Sequence, residues 1–362
     1  MSAPYVVTIC REDDLHPIVD GLAGLPRARG LLAHADGLLD GMLAEGARLF
    51  PGLVWLRVDD ASGPVAVVPL QSVVERRGVL TFRELRSPSR FEMLYHDAAV
   101  HSRAVPRRLL AALMSARACD GRPCDVLRLR DLRTGSPLAV MMASLASLLL
   151  ETYPGTSVIP TPLAPGRWID DQSRNLRSQV HKVTRRLEEL GTVRVLESTA
   201  AAAVAAAFVR FVDLEAGGYK AQMNALRHED ADRKLLGAAI HAQAKRGGAL
   251  VRELYLDDTL IASQVALRSA DRLFLLKVAY DEHHARESPG TYLMADLLES
   301  CRRSALVSVL DCCVRQQWHD RWHVDIEPSY RVTIPNRRTV RGAMIALGRR
   351  TRRVLVTTSR DA

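Results

Sequence analysis

The segment LFLLKVAYDEHHARESPGTYLMADLLESCRRSA, residues 273–305, decides the reading of this chain. Leu273 to Tyr280 is an apolar run of strand length carrying Phe274, Leu275, Leu276, Val278 and Ala279. A charged loop follows, from Asp281 to Ser288. Pro289 and Gly290 then open a helix whose apolar residues Leu293, Leu297, Cys301 and Ala305 recur every four positions, close to the helical period. Proline suits a helix entry, and glycine lets a ligand come close to the backbone. A strand that turns into a helix start leaves backbone N–H groups free and aims the helix dipole at the loop, which suits a phosphate or pyrophosphate. A plain turn without a ligand accounts for the same residues.

Working outward, the elements around this segment occur twice. In the second half a strand at Thr192–Leu196 is followed by helices at about Ala200–Ala216 and Asp230–Arg246. Three strands come next, Ala249–Leu256, Leu260–Leu267 and Leu273–Tyr280, joined by short turns as in an antiparallel meander. The helix from Gly290 and a strand at Val307–Asp311 close the unit. The first half gives the same order. It has a strand at Val6–Cys10, helical segments at Leu15–Leu22 and Gly30–Glu45, and strands at Leu53–Val58, Pro64–Leu70 and Val79–Leu85. A helix at Val105–Cys119 and a strand at Asp125–Leu129 follow. Ser136 and Pro137 are good N-cap and N1 residues for a further helix through Leu149. The repeat predicts two similar α/β domains, 1–153 and 166–345, joined where Pro154, Pro160, Pro162 and Pro165 crowd together, with a basic tail at 346–362. After the join, Ser173–Leu190 reads as a helix with the apolar stripe Leu176, Val180, Val183, Leu187 and Leu190 and a basic opposite face.

Composition bounds the function. A chain of 362 residues with 48% apolar and 25% charged residues is that of ordinary globular domains. No apolar run has the length of a membrane span, and no basic-then-apolar leader is seen, which predicts a cytoplasmic protein. The six cysteines make no CxxC pair and read as reduced, buried thiols. The net charge of +9 is concentrated in two clusters, Arg174, Arg177, Lys182, Arg185 and Arg186, and Arg337, Arg338, Arg341, Arg349, Arg350, Arg352 and Arg353. Such clusters suit nucleic acid, an anionic membrane surface at the inner face, or phosphorylated ligands; an arginine-rich solvated surface is the plain alternative.

The twice-occurring unit, with its pyrophosphate-type turn after the fourth strand, resembles the GNAT acyltransferase fold. Asn175-Leu176-Arg177 through Arg185-Arg186-Leu187 to Gly191 is similar to the opening of the tandem-GNAT, cellulose-biosynthesis-type (CelD-like) group of acetyltransferases. Asp213-Leu214-Glu215-Ala216-Gly217-Gly218-Tyr219-Lys220 resembles that group's E-a-x-G-W-K signature, with Tyr219 in place of Trp. Tyr280-Asp281-Glu282 followed by Ser288-Pro289-Gly290 resembles its Y-D-E…S-P-G signature. These motifs lie in the second half; the first half matches by architecture. The fold class implied is α/β, two tandem GNAT-like domains, each a mixed, largely antiparallel sheet flanked by helices.

The resemblance implies acetyl-CoA or another acyl-CoA as donor and an amine or hydroxyl as acceptor, on a sugar, glycolipid or other envelope-related precursor. Arg286, Ser288, Pro289, Gly290 and Thr291 stand where GNAT enzymes carry the pyrophosphate loop Q/R-x-x-G-x-G/A, with one glycine of that pattern present. Arg286 would supply a cation, and Gly290 and Thr291 backbone N–H groups. Direct transfer needs a free nucleophile, an oxyanion site and a proton route. Glu215 is the candidate base, with Tyr219 and Lys220 on the acceptor side. Tyr280 is placed to protonate a leaving thiolate, and Asp281 stands beside it. A surface Glu215–Lys220 ion pair and a packing Tyr280 are the plain alternatives. His319 and His323 share the spacing of zinc helices without a third ligand, so no metal is expected. No G-x-S-x-G elbow suggests a hydrolase. Two other readings keep the fold: transfer from aminoacyl-tRNA, as in Fem-like peptidyltransferases, to which basic clusters lend support, and a non-catalytic module binding nucleic acid or anionic lipid.

Overall fold

The computed structural model describes residues 5–10, 15–25, 43, 49–78, 80–88, 98–117, 120–134, 136–145, 149–218, 226, 230–304 and 306–347. The expected helix at Gly30–Glu45 lies almost wholly outside them, and Tyr219, Lys220, Cys119 and the arginines from 349 onward lie outside them altogether.

The first unit runs β1 (Val6–Cys10), α1 (His16–Gly24), β2 (Leu53–Asp60), β3 (Gly63–Arg77), β4 (Leu80–Arg86), β5 (Ala99–Val100), α2 (Pro106–Ser115), β6 (Val126–Arg133), α3 (Pro137–Ala143) and β7 (Leu149–Pro160). On β2, Val54, Leu56 and Val58 enter a core with Leu109 and Leu113 of α2. Trp55 faces the other way, against Ile18 of α1. Ser136 caps α3 by accepting from Ala139 N at 3.0 Å, with Pro137 in the first turn. That helix ends at Ala143, short of the predicted Leu149, which instead begins β7: pairing with a partner strand prevails over local helix signals there.

The second unit is introduced by a 3₁₀ turn, Trp168–Asp171, and α4 (Arg174–Leu190). Leu176, Val180, Val183 and Leu187 of the predicted stripe are buried, and Ser173 caps the helix by accepting from Leu176 N. Then follow β8 (Val193–Ser198), α5 (Ala201–Gly217), α6 (Asp230–Lys245), β9 (Ala249–Leu256), β10 (Thr259–Ser269), β11 (Arg272–Tyr280), a 3₁₀ turn (Glu282–Glu287), α7 (Pro289–Arg303), β12 (Val309–Asp311), a 3₁₀ turn (Gln317–Trp322), β13 (Asp325–Pro335) and a short helix α8 (340–347). Helices α5 and α6 cover one face of the β8–β11 meander, and α4 and α7 the other.

All the strands among the described residues join one open, mixed sheet in the order β1-β2-β3-β4-β6-β13-β7-β12-β11-β10-β9-β8, with β5 beside β3. The order is symmetric about its centre. β4 runs parallel to β6, and β11 parallel to β12, as equivalent pairs in the two units. The last strand of each unit crosses over: β7 pairs with β12, and β13 with β6. The two exchanged strands then pair antiparallel with each other. The proline-rich stretch therefore starts inside a central strand. Pro154 is accommodated opposite Pro328, where the β7–β13 register slips, so neither proline is asked to donate a regular ladder bond. At Gly155 a Cβ would lie 2.7 Å from Ser329 N and 2.8 Å from Glu327 O, so glycine is needed for the strands to close.

A buried ionic cluster clamps this exchange. Asp311 of β12 is fully enclosed. It accepts from Arg133 Nη2 of β6 at 2.6 Å, Arg272 Nη1 of β11 at 2.9 Å, Thr156 Oγ1 of β7 at 2.8 Å and Cys313 N at 2.7 Å. Glu327 of β13 accepts from the same two arginines at 2.8 and 2.7 Å. Each carboxylate is thereby matched by cations from both units, as a buried charge requires. A second link between the units is apolar: Leu235 of α6 is buried with Ile18, Trp55 and Val67 of the first unit.

Candidate active site

The site is built from the end of β11. Its ladder with β12 covers Arg272, Leu273 and Phe274 and stops there, so Leu275–Tyr280 runs on without β12 beside it. One extra residue in β11, Leu276, breaks its register with β10, between the pairs Ala266↔Leu275 and Val265↔Lys277. A bulge of this kind bends and twists a strand, and here it accompanies the parting of β11 from β12. The equivalent strand of the first unit differs. β4 pairs regularly with β3 along its length and stays on β6 to its last residue, Arg86, with Ser87 N donating to Arg128 O at 2.9 Å. The gap therefore belongs to the second unit.

The loop beyond β11 is tightly wound. Asp281 caps the turn Glu282–Glu287, accepting from His283 N at 3.0 Å and facing His283 Nδ1 at 2.8 Å. Burial alone would raise its pKa, but the bonds from His283 outweigh it and hold the carboxyl below its ordinary range. Asp281 is thus an ionised anchor of the turn and a weak base at neutral pH. Ser288 adopts a left-handed conformation, φ 56°, and Pro289 is buried as the first residue of α7. Thr291 N already donates to Ser288 O at 2.9 Å, so of the two predicted donors Gly290 N–H alone has no acceptor among the described residues. A Cβ at Gly290 would meet only Tyr280 Cδ1, at an ordinary 3.9 Å. Packing within the protein does not demand glycine here. A group lying against the first turn of α7 would.

The structure brings the two quoted signatures together. The end of α5 abuts the end of β11: a Cβ at Gly218 would lie 3.4 Å from Tyr280 O and 3.9 Å from Glu282 Cγ. Tyr280 is half-buried beside Leu293 of α7 and reaches Gly290. Glu215 points the other way, inward. Its side chain is enclosed, accepting from Lys277 Nζ of β11 at 2.9 Å and from Leu226 N at 2.9 Å. Glu215 therefore ties Leu226 to Lys277 of the bulged strand. That location suits a positioning residue more than an exposed base. Lys277 was not singled out from the sequence, although a lone lysine in the run LFLLKVAY is the signal of a buried partner.

Arg286 is exposed on the turn, and its carbonyl accepts from Arg186 Nη1 of α4 at 3.3 Å. The basic residues of α4, Arg174, Arg177, Lys182, Arg185 and Arg186, are all exposed, and α4 packs on α7, so this cationic face flanks the loop. Under α7, Arg252 of β9 bonds Asp296 at 2.6 Å and lies 3.2 Å from Glu197. The histidine pair does not converge. Gln317–Trp322 is a 3₁₀ turn; His319 is buried with Nδ1 accepting from Gln316 N, and His323 is exposed beyond it. Burial pushes the thiols of Cys124, Cys301 and Cys312 up to about 12, so they are unreactive.

Residues 174–316 match the sequence family described as acetyltransferase (GNAT) domain. No curated protein matches the chain in sequence. Among solved structures, that of FemX has a TM-score of 0.52 at 12% identity, covering 90% of this chain and 96% of that one. L-PGS from Bacillus licheniformis has a TM-score of 0.52 at 10% identity, covering 94% and 97%. At such identities the likeness is one of fold, and it extends over both units. Residues 174–316 of the second unit thus match a GNAT-type acyltransferase domain, and the likeness of the whole chain to these structures is one of fold.

Proposed function

We propose that this domain transfers an acyl group from acetyl-CoA or another acyl-CoA directly to an amine or hydroxyl of a sugar, glycolipid or other envelope-related precursor. One observation carries the donor assignment. Gly290, at the start of α7 and beside the gap between β11 and β12, has an unused N–H and open space where a side chain would stand. That suits a pyrophosphate approaching a helix N-terminus. Arg286 and Arg186 add positive charge. The thioester end would lie along β11 after the bulge, with Tyr280 positioned to return a proton to the departing sulfur. Glu215 anchors Leu226 N, and Tyr219 and Lys220 are the acceptor-side candidates by the signature they belong to. The acceptor class follows from the resemblance to the cellulose-biosynthesis-type group. Isothermal titration with CoA and acetyl-CoA tests the donor: binding of both supports the reading, and no heat with either overturns it.

A second donor has support of its own. The exposed cationic face of α4 beside the loop, and the whole-chain fold likeness to FemX, suit an aminoacyl-tRNA donor as in Fem-like transferases. Salt-sensitive tRNA binding with aminoacyl transfer, in the absence of CoA binding, would establish that branch instead.

A further inference from the structure

We propose that helix α8 is a docking face for an anionic lipid surface. Val340, Met344 and Leu347 are 80%, 54% and 66% exposed, although all three are apolar. Their spacing of four and three places them in one stripe along the helix. Three such residues in line differ from the scattered exposed aliphatics that any surface carries.

The stripe is held outward. Thr339 Oγ1 caps α8 by accepting from Gly342 N at 3.0 Å. Gly342 is pressed so closely on the protein that a Cβ would collide with Asn336 O and lie 2.7 Å from Asp125 O. Asn336 is itself fixed, donating from Nδ2 to Cys124 O at 2.8 Å and to Met114 O at 3.3 Å. With its opposite side pinned to the loop between α2 and β6, α8 cannot roll its stripe inward.

The charge around the stripe selects the occupant. Arg337 and Arg338 are exposed just before the helix, and Arg341 lies in its first turn. None of the three has an acidic partner among the described residues. A second copy would bring identical cationic rims together. A nucleic acid would have no use for the apolar stripe. An anionic bilayer surface satisfies both features, taking the aliphatic side chains at the acyl boundary and the guanidinium groups at the headgroups.

Co-sedimentation of the full chain with phosphatidylglycerol–phosphatidylcholine vesicles and with pure phosphatidylcholine vesicles tests this. The chain should pellet with the anionic vesicles, less so as salt is raised, and stay soluble with the neutral ones. Met344→Asp with Leu347→Asp should abolish pelleting at an unchanged melting temperature. Arg337→Ala with Arg338→Ala should weaken it roughly 30-fold, about fivefold for each arginine. The proposal fails if the wild type stays in solution, if neutral vesicles bind it equally, or if either double variant binds as the wild type does. It also fails if light scattering shows a dimer that the Asp variant splits, since α8 would then be a subunit contact.

Discussion

Gly290 and Tyr280 together make the sharpest test of the site at the scale of single residues. Because a Cβ at 290 meets only the Tyr280 ring at 3.9 Å, Gly290→Val should leave the melting temperature within the range of an ordinary surface change, about 0.5 kcal/mol. If the first turn of α7 receives the donor's phosphates, the same change should weaken CoA binding tenfold or more by titration calorimetry; unchanged affinity would reduce the loop to a turn. Glu215 and Lys277 make a second test. Removing one member, as in Lys277→Met, takes the cation from a buried carboxylate and should cost about 3–5 kcal/mol, while Lys277→Met with Glu215→Leu should recover much of it. Glu215→Gln keeps an acceptor for Leu226 N, so donor affinity should hold while turnover falls; equal turnover across pH would remove Glu215 from any part in the reaction. Glu215, Tyr280 and Gly290 could be picked out of the sequence as candidates through the two signatures. The inward turn of Glu215 could not, because its partners Lys277 and Leu226 are 62 and 11 residues away and no periodicity links them.

Among elements, the 3₁₀ turn Gln317–Trp322 carries a titration signature. Burial lowers the pKa of His319 from 6.5 to about 4, more than Asp320 and a backbone contact raise it. The folded state therefore holds the neutral ring. Stability from this residue is complete above about pH 6.5 and is lost as pH falls toward 4, where the unfolded chain already binds the proton; the total is roughly 3 kcal/mol. A pH series of melting curves should show this decline, and His319→Gln should flatten it. If the two proteins melt in parallel between pH 7 and 4, the ring is not the cause. The period of the flanking strands and helices was legible, since β8 to β11 and α4 to α7 fall within a few residues of their expected places. The histidine spacing was legible but misleading: i and i+4 share a face on an α-helix, not on this tighter turn.

For the whole molecule, the twofold order of elements was legible and the strand exchange was not. Local pattern fixes which residues extend, but partner choice depends on edges far apart in sequence, and the prolines at 154 and 160 read as a join although they lie in the central strand β7. Gly155→Ala should therefore act as a core change, destabilising by roughly 1–3 kcal/mol or more in denaturant melts. The fragment 166–345 on its own would leave β12 and β13 without β7, and should be insoluble or unfolded by circular dichroism; a folded, soluble fragment would show that the units are independent.

The exchange of β7 and β13 also sets a clock on synthesis. β6 emerges at residue 133, yet the strand that covers its outer edge begins at Asp325, roughly 200 residues later, which at the usual rate of chain growth is about 10–40 s. For that interval the nascent first unit carries an open apolar edge on the ribosome, the condition under which two neighbouring chains on one message pair with each other instead of with themselves. Slowed translation between residues 160 and 325 should then lower the yield of soluble protein in proportion to polysome density, and a chaperone that shields strand edges should restore it.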